Sequence, residues 1–223
     1  MSWVALGLVG GVVGLDATSF PQAMLSRPIV AATLAGWAFG KPGAGLLLGA
    51  LIEIFSLIIL PFGAARYPES GTAAAAAGAA YAAADQSAAP ESLLLLALVF
   101  ALAWEQVAGA SVIFIRRLNQ RLVPDGAATR LRAQQIAQRH ILAMSIDFVR
   151  GAWAVVIGTL VGIVLLRAFA ASFPASGALS ARFILIACAA MLGSALPLFG
   201  GLRQRWLPLG LGLLCGTLLL FLR

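Results

Sequence analysis

The chain is a succession of apolar runs separated by short breaks rich in glycine, proline and arginine, and this pattern decides its solvent. Runs open at Trp3, Ile29, Gly45, Thr72, Ser92, Ile141, Phe183 and Leu207. Only 10 % of the residues are charged, against 61 % hydrophobic. A water-soluble domain carries roughly 25 % charged residues, so this chain lacks the polar surface to coat a core in water. Disorder, a coiled coil, collagen and a small disulfide scaffold fail on the same ground. The mean hydropathy of +0.99 places the chain in a bilayer. Its 223 residues allow about six to eight hydrophobic passes of ~20 residues each, with turns. The expected fold is all-α and polytopic, a single transmembrane domain over 1–223 in which some segments are short or re-entrant.

Charge supports this topology rather than a nucleic-acid partner. The net charge of +7 comes almost wholly from arginine, and the arginines gather between apolar runs. That is the bias of cytoplasmic loops. Arg116, Arg117, Arg121, Arg130, Arg132 and Arg139 oppose Asp125 alone, so residues 116–139 are expected to form a cytoplasmic loop. Within it, Ala127–Gln138 has the composition of an amphipathic segment on the membrane surface. The remaining organisation reads as a first part, 1–91, with short or re-entrant elements, a full span over 92–115, and C-terminal spans over 140–223. No basic residue precedes Arg27, so the first apolar run reads as part of the mature chain rather than a cleaved leader.

The run Ile29–Phe39 is about 20 Å long as a helix, well short of the ~30 Å hydrocarbon core. It therefore needs neighbours or a re-entrant path. Glu53 sits near the middle of Gly45–Leu60, and a mid-bilayer carboxylate costs roughly 2.5–3.5 kcal/mol. Pro42-Gly43 precedes that run and Pro61-Phe62-Gly63 follows it. Interrupted helices free backbone groups at membrane depth, where transporters bind cargo. Glu53 is accordingly read as a solute-binding acid, against the plainer reading of a helix-paired group that locks packing. Asp16, Gln22 and Arg27 form a second polar cluster. Asp16 and Gln22 either supply hydrogen-bonding groups to a polyhydroxylated ligand or lie in a solvated loop. Arg27 reads equally as an anchor at the headgroups.

Other polar residues carry plainer expectations. Asp147 and Arg150, three apart on a helix, are expected to neutralise one another. Glu105 is expected to pair with an arginine of a neighbouring helix. His140 is placed at the membrane interface. The alanine tract Thr72–Ala84 gives a smooth surface for close helix approach and an oligomer. Cys188 and Cys215 are packing residues with no metal-ligand spacing, and a single histidine argues against a metal site. No phosphate-binding loop, dinucleotide motif or nucleophile elbow occurs, so no catalytic residue and no cofactor is expected.

The stretch from Leu15 to Thr72 resembles the membrane IIC subunit of the mannose/fructose/sorbose family of the bacterial sugar phosphotransferase system. The likeness rests on Asp16, Gln22, Arg27-Pro28, Gly49-Ala50 with Glu53, and Pro61 with Gly63-Ala64. Weaker likeness runs through Arg117-Leu118-Asn119 and 140–150 to the C-terminus. The resemblance implies a sugar permease of the bacterial inner membrane that binds a hexose or amino sugar. It implies a IID membrane subunit and cytoplasmic IIA and IIB subunits as partners, with phosphoryl transfer carried by those soluble subunits. It also implies sugar contacts from Asp16, Gln22 and Glu53, a hairpin turn over Pro61–Ala64 near them that adds Gly63 and Ala64 to the binding residues, and Arg27 and Arg66 as further candidates. The chain departs from the family in its shorter length and in Pro68-Glu69-Ser70, which lacks a pair of acids and leaves the sugar open. A different class of function, an accessory membrane protein packed against another complex without moving sugar, fits the small-residue surfaces as well.

Overall fold

A computed structural model describes residues 3–57, 68–84, 90–122, 132–170 and 177–195. These form seven helices: α1 (Trp3–Thr18), α2 (Pro28–Ala38), α3 (Pro42–Ser56), α4 (Ser70–Ala83), α5 (Pro90–Gln120), α6 (Ala133–Ala170) and α7 (Gly177–Ala195). No strand occurs among the described residues. The all-α expectation is met, and so is the mixture of short and long segments. At 1.5 Å per residue, α2, α3 and α4 reach only ~16–22 Å, whereas α5 and α6 reach ~46 and ~57 Å. Among the described residues, only α5 and α6 are both long and apolar enough to cross a bilayer alone.

Local chemistry sets the short elements. Pro28 and Pro42 occupy the first turns of α2 and α3, where a missing N–H costs nothing. Between them, Gly40 adopts a left-handed backbone (φ +74°). The Gly40 N–H donates to Trp37 O and the Lys41 N–H to Gly36 O, both at 2.9 Å, which closes α2 as a Schellman cap. The result is a tight antiparallel hairpin of α2 and α3. The only lysine, Lys41, donates from Nζ to the carbonyl of Ala84 at 3.3 Å, tying this hairpin to the end of α4.

The alanine tract is the axis of the molecule. From Gly71 to Ala82 every residue of α4 is buried. One face joins Leu48, Ile52, Leu98 and Leu166 in a core shared with α3, α5 and α6. Another, through Ala75 and Ala79, joins Leu6, Val13, Ala31 and Val155 of α1, α2 and α6. The smooth surface anticipated from the sequence is thus used inside the chain, where its own helices cover it.

Small residues also set the crossing of α1 with α6. A Cβ added to Gly151 would lie 2.5 Å from Gly10 O and 2.8 Å from Gly14 Cα, so the two backbones touch without side chains between them.

Of the basic stretch expected as a loop over 116–139, residues 123–131 lie outside the described residues, and both ends are helical. Helix α5 continues through Arg116 and Arg117 to Gln120, and residues 133–138 are the first turns of α6 rather than a separate surface helix. Arginine, glutamine and alanine are good helix formers, so nothing ends these helices at the hydrophobic boundary. Arg139 donates from Nη1 to the carbonyl of Leu122 at 2.7 Å, which draws the two projecting ends together.

Candidate functional site

The chain leaves α1 at Thr18, whose Oγ1 donates back to Gly14 O at 2.9 Å. The next residues turn around the carboxylate of Asp16, which is 2 % exposed. The Ala23 N–H donates to Oδ1 at 2.6 Å and the Ser26 N–H to Oδ2 at 2.8 Å. A carboxylate that accepts two backbone N–H bonds holds a loop as a short ladder would. Gln22 (φ 57°) and Met24 (φ 63°) both adopt the left-handed region, and the Phe20–Pro21 peptide is cis. For residues other than glycine that region costs roughly 1–2 kcal/mol each, a strain that collects at functional sites. The loop presents Phe20, Gln22 and Met24 outward.

Glu53 reaches the other end of the same segment. Its Oε1 pairs with Arg27 Nη2 at 2.6 Å, and its Oε2 accepts the Ile29 N–H at 3.3 Å. Arg27 is the N-cap residue of α2 and supplies no side-chain cap. Glu53, from α3, supplies both the missing acceptor and the negative charge favoured at a helix N-terminus. The Glu53 side chain remains 17 % exposed and that of Arg27 47 %. A carboxylate has about four lone-pair positions, so Glu53 retains room for further donors. Arg27, read from the sequence as a headgroup anchor or a binding residue, makes an ion pair within the protein while its side chain stays half-exposed. Asp16 thus holds residues 23 and 26 and Glu53 residues 27 and 29 of one continuous segment, with Gln22 exposed just before the first of them.

A second cluster lies behind this loop, and the sequence reading missed its centre. Glu69 is 3 % exposed and receives a two-pronged pair from Arg150 of α6: Nη1 to Oε2 at 2.7 Å and Nη2 to Oε1 at 3.1 Å. Arg150 also donates to Ser111 Oγ of α5 and to Gly14 O of α1, both at 3.3 Å. The anticipated pair with Asp147 is present at a looser 3.6 Å from Nε, and Ser19 Oγ donates to Asp147 Oδ2 at 2.7 Å. The available signals in the sequence were Glu69 just before the alanine tract and an arginine inside an apolar run. Their separation of 81 residues hid the partnership.

The other candidates fall as follows. Glu105 is buried, but among the described residues it makes no ion pair, and its backbone carbonyl accepts the Glu69 N–H at 3.1 Å. His140 is exposed near the start of α6. Cys188 is buried and free, while Cys215 lies outside the described residues. So do Gly63, Ala64 and Arg66. No group of three or more potential metal ligands occurs among the described residues. Between α5 and α6 runs an apolar recess of about 670 Å³, walled by Trp104, Phe114, Val149 and Trp153, with Arg150 at its edge.

Comparison with known proteins places this architecture. A solved structure titled "Structure of membrane protein" aligns with a TM-score of 0.72 at 20 % identity, covering 99 % of this chain and 93 % of that one. At that identity it shows the fold. No curated protein matches. Residues 1–200 match the family described as EII-Sor, "PTS system sorbose-specific iic component". With nine-tenths of its length matched and a helical membrane fold around the loop that Asp16 and Glu53 hold, this chain belongs to the sorbose-specific IIC family of phosphotransferase-system membrane subunits.

Proposed function

We propose that the chain binds a hexose or amino sugar at the Phe20–Arg27 loop and moves it across the bacterial inner membrane. The sugar meets Gln22, which both donates and accepts, together with the Arg27–Glu53 pair, which offers guanidinium donors beside carboxylate acceptors. A sugar hydroxyl needs both kinds of partner. Asp16 acts from underneath by fixing the loop. The observation that carries this reading is the strained loop: two left-handed residues are held by a buried carboxylate at one end, with a partly exposed ion pair at the other. Backbone strain with no packing role on an exposed loop is what a preformed binding surface requires.

The basic ends of α5 and α6 face the cytoplasm in this reading, where a IIB subunit charged by IIA phosphorylates the arriving sugar. A IID-type membrane subunit completes the permease. The chain itself carries no phosphoryl group. The accessory reading draws on the small-residue surfaces, of which the alanine tract of α4 is buried within the chain.

The test is uptake by the assembled permease. Glu53→Gln and Glu53→Ala proteins, expressed with the partner subunits, should lose at least about tenfold in hexose uptake, the effect of removing a hydrogen bond to a charged group. Uptake at the wild-type rate would remove Glu53 from the site.

A further inference from the structure

We infer that the buried Arg150–Glu69 pair positions the Phe20–Arg27 loop, acting through Gly71 and Ser26, so that the docking of α4 on α6 sets the order of the sugar-facing surface. This rests on the reading of that loop as the sugar site, and its geometry stands independently. Arg150 touches both flanks of the loop. Towards its start, Arg150 donates to Gly14 O, two residues before Asp16, and lies beside Asp147, which holds Ser19. Towards its end, Arg150 fixes Glu69, two residues before Gly71.

Gly71 lies directly against Ser26. A Cβ there would collide with the Ser26 carbonyl oxygen and come within 3.1 Å of its Cα. Backbone therefore rests on backbone, with no flexible side chain to absorb a shift. Ser26 is in turn the residue whose N–H Asp16 holds. A displacement of Glu69 is transmitted through Gly71 to Ser26, and from there to the strained residues at 22 and 24. A pair that merely neutralised two charges would not need this placement, because it would stabilise the fold equally from any seam.

Hydrogen–deuterium exchange of the full chain in lipid nanodiscs, without sugar, separates these roles. Glu69→Gln keeps the shape of the side chain and leaves Arg150 with Asp147. It should speed exchange of a peptide covering Ser19–Arg27 by about tenfold, the effect expected from losing a charged hydrogen bond. A peptide from Val155–Leu160 of α6 should be unchanged. Gly71→Ala, with the ion pair intact, should give the same localised acceleration, and the double variant no more than the larger single effect. Arg150→Lys keeps the charge but loses the planar fork, and it should behave like Glu69→Gln. Loop exchange equal to wild type in folded Glu69→Gln or Gly71→Ala protein overturns the inference, as does equal acceleration of loop and control peptides. If Glu69→Gln does not fold, Gly71→Ala decides alone. Because no sugar is present, failure here is distinct from failure of the uptake test on Glu53.

Discussion

Replacing Asp16 by Asn isolates what holds the loop, because it keeps side-chain size and removes the charge. The wild-type carboxylate accepts two backbone N–H bonds, each worth ~1.5–3 kcal/mol with a charged acceptor. Against them stand the two left-handed residues, Gln22 and Met24, at roughly 1–2 kcal/mol each. The bonds total ~3–6 kcal/mol and the strain ~2–4 kcal/mol, so the observed loop is favoured by a narrow margin. Asn keeps one neutral acceptor worth ~1 kcal/mol and turns an NH₂ donor towards the other N–H. Ala23 is exposed and Ser26 partly so; water then recovers part of the loss. We take the net penalty as ~2 kcal/mol, which lowers the ratio of ordered to disordered loop about thirtyfold. A ligand that binds only this conformer loses affinity in proportion to the ordered fraction, and the loss approaches that factor once the ordered loop has become the minor state. Equilibrium binding of radiolabelled hexoses to the nanodisc-embedded protein, with exchange of the Ala23 and Ser26 amides as a second reading, measures both consequences. Adding Met24→Gly to Asp16→Asn removes about 1 kcal/mol of strain and should restore about fivefold. Amide exchange unchanged by Asp16→Asn would refute the account, because the carboxylate would then not be what holds the loop.

Two further substitutions test the frame around the site. Gly151→Ala gains about 1 kcal/mol of helix propensity, but its Cβ would meet Gly10 O at 2.5 Å, and overpacking costs ~1–3 kcal/mol or more. It should therefore lower the thermal unfolding midpoint in detergent, and Gly151→Val should lower it further; a raised midpoint would mean that α1 and α6 are not in backbone contact. Lys41→Met removes the bond from Nζ to Ala84 O, and the loss of a charged donor predicts ~1–2 kcal/mol of destabilisation by the same assay. An unchanged midpoint would show that water serves this carbonyl as well.

How far the sequence reaches can be followed residue by residue. Pro28 and Pro42 each stand at a break before an apolar run and act within one turn of their own position, so the starts of α2 and α3 were legible. The i, i+3 spacing of Asp147 and Arg150 also brought them together, at 3.6 Å. Glu69 was opaque, because its guanidinium partner is fixed by the packing of α4 on α6 and nothing local specifies it. Asp16 was visible as a polar residue, but its function as an acceptor for backbone N–H groups leaves no mark, since every residue except proline carries the same donor. The ends of α5 and α6 were misplaced for another reason. Hydropathy marks where the membrane stops, and helices of good formers continue past that boundary into water.

Charge placement bears on whether this arrangement is structural or serves a ligand. Breaking a buried ion pair is costly, yet replacing the whole pair by apolar residues of similar volume is often neutral or stabilising. Stability alone therefore does not account for Arg150 with Glu69, or for Asp147 and Asp16, in a chain so short of charge. Asp16, Asp147, Arg27 and Glu53 each bond to or within the segment from Ser19 to Ile29, and Arg150 and Glu69 join it at one remove, through Asp147 and Gly71. Elsewhere the described core is mainly alanine and leucine with a few larger apolar side chains, and Glu105 is the one further buried charged residue among the described residues. A chain under pressure only to pack would spread such groups or lose them. Their concentration around one strained loop has a use if that loop must hold its shape while offering donors and acceptors to a polar cargo, and the Asp16→Asn/Met24→Gly comparison measures the stiffness this requires.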